Sequence, residues 1–206
     1  MLEVENLTCV RGTRRLFRDL NFSAAPGELV ELRGPNGSGK TSLLRIVCGL
    51  ASPASGEVRW KGKNIRALAE EYFRDVAYLA HQNGLKDELS AYENLRMSSG
   101  IAGRSLTKSE AIDALTRVGL ADRLHLPARV LSAGQRRRLA LARLWSLKCK
   151  LWVLDEVLTS LDDAAMQIAR EFINQHLRQD GIAIIATHQD LNLSADRVNR
   201  IQLAGG

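Results

Sequence analysis

Short runs of apolar residues alternate with longer amphipathic segments along most of the chain. Continuous apolar runs predict buried strands over residues 28–33, 150–154 and 182–187. Apolar residues at helical spacing predict helices over residues 40–48, 132–147 and 162–178. Shorter runs predict further strands over 2–10, 56–60 and 76–80, and a last edge strand over 198–203. This alternation favours an α/β fold in which a mostly parallel sheet is covered by helices on both faces.

The segment over residues 84–130 interrupts this alternation. Its pattern is helical from about residue 90 to residue 124, and Thr107 followed by Glu110 predicts a capping box for a helix that runs to Val118. The sequence therefore predicts one domain over residues 1–206, with a helical subdomain at about 84–130.

A glycine-rich stretch, GPNGSGKT at residues 34–41, lies between a predicted strand and a predicted helix. It fits the pattern G-x-x-x-x-G-K-[ST], in which glycines let backbone N–H groups curl around phosphate oxygens. Lys40 would reach the β- and γ-phosphates of a nucleotide, and the Thr41 hydroxyl would bind Mg²⁺. The predicted phosphate-binding residues are Gly34, Pro35, Asn36, Gly37, Ser38, Gly39, Lys40, Thr41 and Ser42.

A second predicted strand ends in two acidic residues, Asp155 and Glu156, in the sequence LWVLDE. Asp155 could hold Mg²⁺, and Glu156 could orient or deprotonate an attacking water. Acidic pairs at strand ends are common, so this pair indicates nucleotide hydrolysis only in combination with the phosphate-binding loop. Together the two motifs predict a nucleoside triphosphatase.

The sequence LSAGQ at residues 131–135 narrows this prediction further. It resembles the signature motif of ABC transporter ATP-binding subunits, with Ala133 where the family usually has a second glycine. The resemblance implies the P-loop fold of the ABC type, with an antiparallel N-terminal β part. It also implies a homodimer that forms on ATP binding, because the signature contacts the ATP of the opposite subunit. The signature residues are Leu131, Ser132, Ala133, Gly134 and Gln135.

The resemblance extends to three further loops. Gln82 is similar to the glutamine that senses Mg²⁺ and the attacking water, and His188 is similar to the histidine that contacts the γ-phosphate. The loop along the dimer seam would comprise Ser160, Leu161 and Asp162. The implied catalytic residues are Glu156, His188 and Gln82, and the implied Mg²⁺ ligands are Thr41, Gln82 and Asp155.

Two positions depart from the family pattern. Arg11 stands where many members have an aromatic residue that stacks on adenine; a guanidinium can also stack on a base, but a surface cation fits Arg11 equally well. Val157 follows Glu156 where the family usually has proline, which would fix φ and stiffen the turn. The valine leaves the motif recognisable without this constraint on the turn that carries Glu156.

Composition and charge restrict which partners and which cellular location we expect for the protein. The formal net charge is +6, and aromatic residues make up only 5% of the chain. Basic residues cluster over 11–15 and 136–143 without the interleaved aromatics that nucleic-acid binding favours. A solvated surface explains them best, then an anionic membrane face, so no nucleic-acid partner is expected. No apolar run of about 18 residues is present, and the first ten residues lack a basic stretch followed by an apolar one, so we expect neither a membrane span nor a signal peptide. The dispersed Cys9, Cys48 and Cys149 suggest reduced thiols.

Residues 81–95 and 131–145 are similar to the ATP-binding subunits of bacterial haem exporters in cytochrome c maturation. That resemblance implies a membrane permease, CcmB, with CcmC and CcmD, and a peripheral position on the cytoplasmic face of the inner membrane. ATP hydrolysis would then drive haem delivery or release of a haem-loaded chaperone. Two alternatives remain: an exporter of another cargo, and a soluble ABC ATPase that acts on nucleic acid or ribosomes.

Overall fold

A five-stranded parallel sheet forms the centre of the fold. The computed structural model describes residues 1–80, 82–158, 161–187, 193, 195 and 197–204. The strands, in chain order, are β3 Leu29–Arg33, β6 Val76–Leu79, β7 Leu151–Asp155, β8 Ile182–Ala186 and β9 Val198–Gln202. Their order across the sheet is β6-β7-β8-β3-β9, so β9 is the predicted edge strand. Every residue of β7 and β8 is buried, as their continuous apolar runs predict.

A second, antiparallel sheet of four strands lies on the N-terminal side. It comprises β1 Leu2–Arg11, β2 Arg14–Ala24, β4 Ser55–Trp60 and β5 Lys63–Asn64, in the order β2-β1-β4-β5. This sheet matches the expected antiparallel N-terminal part. The hydrophobic pattern missed β2 because most of its residues are exposed or half-buried.

Seven α-helices are found among the described residues. They are α1 Lys40–Val47, α2 Ile65–Leu68, α3 Glu70–Asp75, α4 Ala91–Ile101, α5 Lys108–Arg117, α6 Ala133–Ser146 and α7 Asp163–Arg178. The predicted capping box at the start of α5 is confirmed: Thr107 accepts from the Glu110 N–H, and Glu110 accepts from the Thr107 N–H. No helix within the described ranges is long and apolar enough to cross a membrane.

The parallel sheet separates two hydrophobic clusters. Along β7, Trp152 and Leu154 belong to the cluster that includes α6 and α7. Leu151 and Val153 belong to the other cluster, with α1 and the antiparallel sheet. Alternate side chains of a strand point to opposite faces, so both faces of the sheet are buried. The glycine-rich loop and the acidic pair Asp155 and Glu156 lie at the carboxyl edge of the sheet, where β3 and β7 end.

Candidate functional site

The glycine-rich loop follows β3 and leads into α1 at the carboxyl edge of the parallel sheet. Gly34, Gly37 and Gly39 have φ values of 152°, 78° and 101°, which L-residues rarely adopt. A Cβ on Gly34 would lie 2.5 Å from the Leu203 carbonyl oxygen and 2.7 Å from Ser38 Oγ. Glycine at position 34 is therefore required both by its backbone conformation and by the space available.

Lys40 lies across this loop. Its Nζ donates to the carbonyl oxygens of Gly34 at 2.8 Å and Pro35 at 3.2 Å. The same Nζ lies 3.6 Å from Glu156 Oε1, at the end of the second predicted motif. The ammonium group is thus held at the inner wall of the loop, facing a carboxylate.

Thr41 and Asp155 meet directly, although 114 residues separate them in the sequence. Thr41 Oγ1 donates to Asp155 Oδ1 at 3.2 Å, and Tyr78 Oη donates to Asp155 Oδ2 at 3.2 Å. Burial and the Asp155 carboxylate raise the pKa of Tyr78 above its usual range, so its hydroxyl remains a donor. A hydroxyl and a carboxylate are hard oxygen ligands that suit Mg²⁺.

Sequence reasoning missed Tyr78, whose only signal is a polar-tipped aromatic on the strand that neighbours β7. Its place on β6 brings it to the same edge as Asp155. By holding one Asp155 oxygen, Tyr78 leaves the carboxylate in a fixed orientation towards Thr41.

Glu156 leaves the sheet in an unusual backbone conformation. Its φ is 52°, a left-handed value that costs a non-glycine residue about 1–3 kcal/mol. Its N–H donates to the Ala186 carbonyl oxygen at 3.1 Å, which continues the β7–β8 pairing by one residue. This turn directs the carboxylate towards Lys40 instead of away from the sheet edge.

Lys40, Thr41 and Glu156 line one cavity of about 450 Å³, and Asp155 is joined to it through its hydrogen bond with Thr41. Its lining consists of Leu16, Asn36, Gly37, Gly39, Lys40, Thr41, Ser42 and Glu156. Ser38, beside it in the loop, has a buried hydroxyl with no hydrogen-bond partner among the described residues. The cavity thus presents the Lys40 ammonium, loop backbone, the Thr41 hydroxyl and the Glu156 carboxylate, which suit a polyphosphate with Mg²⁺.

The signature segment lies at the start of α6, outside the lining of this cavity. The Gln135 N–H donates to Ser132 Oγ at 3.2 Å, and the Ser132 N–H donates to Gln135 Oε1 at 2.9 Å. Leu131 is buried, whereas Ser132 and Ala133 are exposed. A Cβ on Gly134 would lie 3.6 Å from Asp162 Oδ2. The signature segment and the loop expected along the dimer seam are therefore neighbours.

The remaining predicted residues are more dispersed. Gln82 is exposed just after β6. Leu161 is half-buried and packs against the hydrophobic cluster that includes α6 and α7. Arg11 is exposed at the end of β1 and pairs with Arg14 at the start of β2. It is not in the cavity lining, to which β2 contributes Leu16. Base stacking by Arg11 therefore remains a prediction. Ser160 and His188 lie outside the described residues.

Comparison with known proteins places this geometry in a family. The family model described as "ABC transporter" matches residues 17–159. The cytochrome c biogenesis ATP-binding export protein CcmA of Nitrosospira multiformis is 50% identical over 202 residues, which cover 98% of each chain. A solved Pyrococcus furiosus chain described as an ABC transporter ATP-binding protein has a TM-score of 0.85 at 26% identity, covering 98% of this chain and 96% of its own.

A third similar protein is a dimeric ATP-binding cassette solved in a post-hydrolysis state with ADP and Pi. Its TM-score is 0.84 at 22% identity, with 98% of this chain and 96% of that chain covered. This likeness concerns the fold. The family model and the full-length relative go further, and show that the chain belongs to the ABC transporter family, as an ATP-binding protein of the CcmA group.

Proposed function

We propose that this protein binds and hydrolyses ATP as a subunit of a membrane exporter that serves cytochrome c biogenesis. One observation carries the enzymatic part. Lys40 and Thr41 on the glycine-rich loop lie 3.6 Å and 3.2 Å from Glu156 and Asp155, which follow a different strand. Phosphate-binding groups thus lie beside two acidic groups, as phosphoryl transfer to water requires.

Each residue has a distinct role in this proposal. Lys40 and the loop N–H groups bind the β- and γ-phosphates. Thr41, Asp155 and Gln82 hold Mg²⁺, which neutralises charge on the phosphates when it is bound. Glu156 orients the attacking water or takes its proton. The resemblance assigns contact with the γ-phosphate to His188.

Dimer formation is the second part of the proposal. The exposed N-terminus of α6 carries Ser132 and Gly134 and lies beside Asp162. A helix N-terminus presents N–H groups and partial positive charge to an anion. We expect it to contact the γ-phosphate of ATP held by a second copy, with Ser160, Leu161 and Asp162 along the seam. Hydrolysis would then loosen the dimer.

The transport pathway rests on the similarity to CcmA proteins. We propose that the subunit sits on the cytoplasmic face of the inner membrane and contacts the permease CcmB, with CcmC and CcmD in the complex. Its cycle would drive haem delivery or the release of a haem-loaded chaperone. Gln82, exposed just beyond β6, lies in the segment that would pass movement to the permease.

The test of the enzymatic part is Glu156→Gln. We expect it to bind ATP but to lower kcat by a factor of about a hundred or more, and to trap the dimer with ATP and Mg²⁺. Glu171→Gln, a matched change on an exposed residue of α7, should leave kcat and dimerisation unchanged. Turnover by Glu156→Gln at the level of the natural protein would contradict the role of Glu156.

The test of the pathway uses the same variant. Tagged Glu156→Gln is extracted gently from native membranes with ATP and Mg²⁺, and co-purifying proteins are identified by mass spectrometry. Recovery of the cytochrome c maturation permease would support haem export. Recovery of a different permease would leave the ATPase mechanism and remove the haem pathway. Recovery of soluble protein alone would favour an ABC ATPase that acts away from membranes.

A further inference from the structure

Arg137 on α6 connects three segments that converge on the candidate site. Only 8% of the residue is exposed, although it belongs to the basic cluster over 136–143 that we expected to be solvated. That expectation is wrong for Arg137. Burial lowers the pKa of its guanidinium. Burying a cation costs free energy unless it is paired or hydrogen-bonded. The hydrogen-bond partners of Arg137 therefore indicate what its buried guanidinium stabilises.

Two of the three guanidinium nitrogens bind the turn that carries Glu156. Arg137 Nε and Nη2 both donate to the Val157 carbonyl oxygen, at 3.0 Å and 2.7 Å. Val157 directly follows Glu156, whose left-handed φ of 52° is a conformation that must be held by its surroundings. The Val157 side chain is fully buried, so the turn is fixed by the core on one side and by Arg137 on the other.

The third guanidinium nitrogen binds the segment that contains Gln82. Arg137 Nη1 donates to Asn83 Oδ1 at 2.7 Å and to the Ala80 carbonyl oxygen at 3.3 Å. These two residues flank Gln82. A single planar group, placed two residues beyond the signature motif, therefore binds both the Gln82 segment and the Glu156 turn.

We propose that Arg137 is a positioning residue for ATP hydrolysis. It holds the backbone after Glu156 so that the carboxylate stays beside Lys40, and it ties that position to the Gln82 segment. A displacement of the Gln82 segment or of α6 then shifts the catalytic carboxylate. This inference rests on the proposed role of Glu156.

The chemistry requires arginine at this position. A guanidinium has five N–H donors in a rigid fork and can bind several acceptors in one plane, whereas lysine has one compact ammonium. Arg137→Lys keeps the charge but cannot reproduce the two bonds to Val157 together with the bonds to residues 80 and 83. Arg137→Met keeps the approximate length and removes every donor.

The experiment measures steady-state ATP hydrolysis and nucleotide affinity for the full chain. We expect Arg137→Met to lower kcat between about tenfold and a hundredfold, since small misplacements of a catalytic group have effects of that size. Nucleotide affinity should stay within about twofold, because Arg137 is not in the cavity lining. Arg137→Lys should give a kcat between those of Arg137→Met and the natural protein. If Arg137→Met fails to fold, Arg137→Lys is the variant that tests the proposal.

Arg138→Met is the matched control. Arg138 lies next to Arg137 on α6, but its Nη1 donates to the Val118 carbonyl oxygen at 2.9 Å, at the end of α5. This variant loses a partly buried arginine and should keep the natural kcat. An equal loss of kcat in Arg138→Met would overturn the proposal, as would a natural kcat in both Arg137 variants.

A double variant separates positioning from a general weakening of the fold. If Arg137 acts through Glu156, adding Arg137→Met to Glu156→Gln should leave the residual turnover unchanged within about twofold. A further tenfold fall would show that Arg137 acts independently of Glu156 and would overturn the proposal. If Glu156→Gln itself hydrolyses ATP normally, the proposed function fails first, and this outcome is distinct from the failure of Arg137.

Discussion

Protonation of His176 should destabilise the protein as the pH falls. The ring lies flat on Trp152, with centroids 4.0 Å apart and planes at 6°. Its Nε2 lies 3.1 Å from the Ile182 carbonyl oxygen, which can only accept, so Nε2 carries the proton of the neutral ring. Burial, assisted by the charge of Lys150, lowers the pKa of His176 from 6.5 to about 4.

The sign and size of the effect follow from that pKa. The pKa of His176 is lower in the folded state, so below pH 6.5 the unfolded state binds more protons and folding loses free energy. Between pH 7.5 and pH 5 the loss is about 2 kcal/mol from this one side chain, and it approaches about 3.4 kcal/mol below pH 4. Above pH 7 the contribution is constant.

The measurement is urea unfolding at pH 7.5 and pH 5, followed by tryptophan fluorescence and circular dichroism. His176→Gln replaces the ring with a neutral side chain, so its unfolding free energy should fall by about 2 kcal/mol less over this range than that of the natural protein. His125→Gln makes the same change at an exposed histidine and should behave like the natural protein. Equal pH dependence in His176→Gln and the natural protein would refute the reasoning.

Two further changes test the nucleotide site directly. Gly34→Ala should abolish nucleotide binding, measured with a fluorescent nucleotide, because its Cβ would lie 2.5 Å from the Leu203 carbonyl oxygen in a loop held at positive φ; affinity within about twofold of the natural protein would contradict this. Tyr78→Phe removes the donor to Asp155 Oδ2 and should raise the Mg²⁺ concentration for half-maximal ATP hydrolysis by about tenfold. An unchanged Mg²⁺ requirement would show that Tyr78 does not orient Asp155.

The parallel sheet could be predicted because its strands are buried on both faces. In β7 and β8 every residue is apolar or buried, so the sequence shows continuous runs that only a covered sheet explains. The edge strand β2 gives a weaker signal, since most of its apolar residues are only half-buried and the alternation is confined to Leu20–Ala24. The short helices α2 and α3 have four and six residues, too few for a helical period to be evident.

The candidate site was predictable wherever a motif fixes the spacing. The glycine-rich loop placed Lys40 and Thr41 at a helix start, and the apolar run before Asp155 placed that carboxylate at the same edge of the sheet. Tyr78 and Leu16 reach the site through strand order, which brings β6 beside β7 and the N-terminal hairpin over the loop. No local pattern specifies either position.

Arg137 shows why a charge count misjudges a basic cluster. Four arginines fall within residues 136–143, and a helix turns successive side chains by 100°, so neighbours in the sequence face different surroundings. Arg136 reaches Asp87, Arg138 reaches Val118 and Arg143 reaches Gly84, while Arg137 faces inward to the turn after Glu156. Arg136, Arg137 and Arg143 thus all bind the segment over residues 80–87 to α6, whereas Arg138 binds the end of α5. Of these four arginines, Arg137 joins the helix that carries the signature motif to the turn after Glu156, and its buried charge therefore acts within the fold.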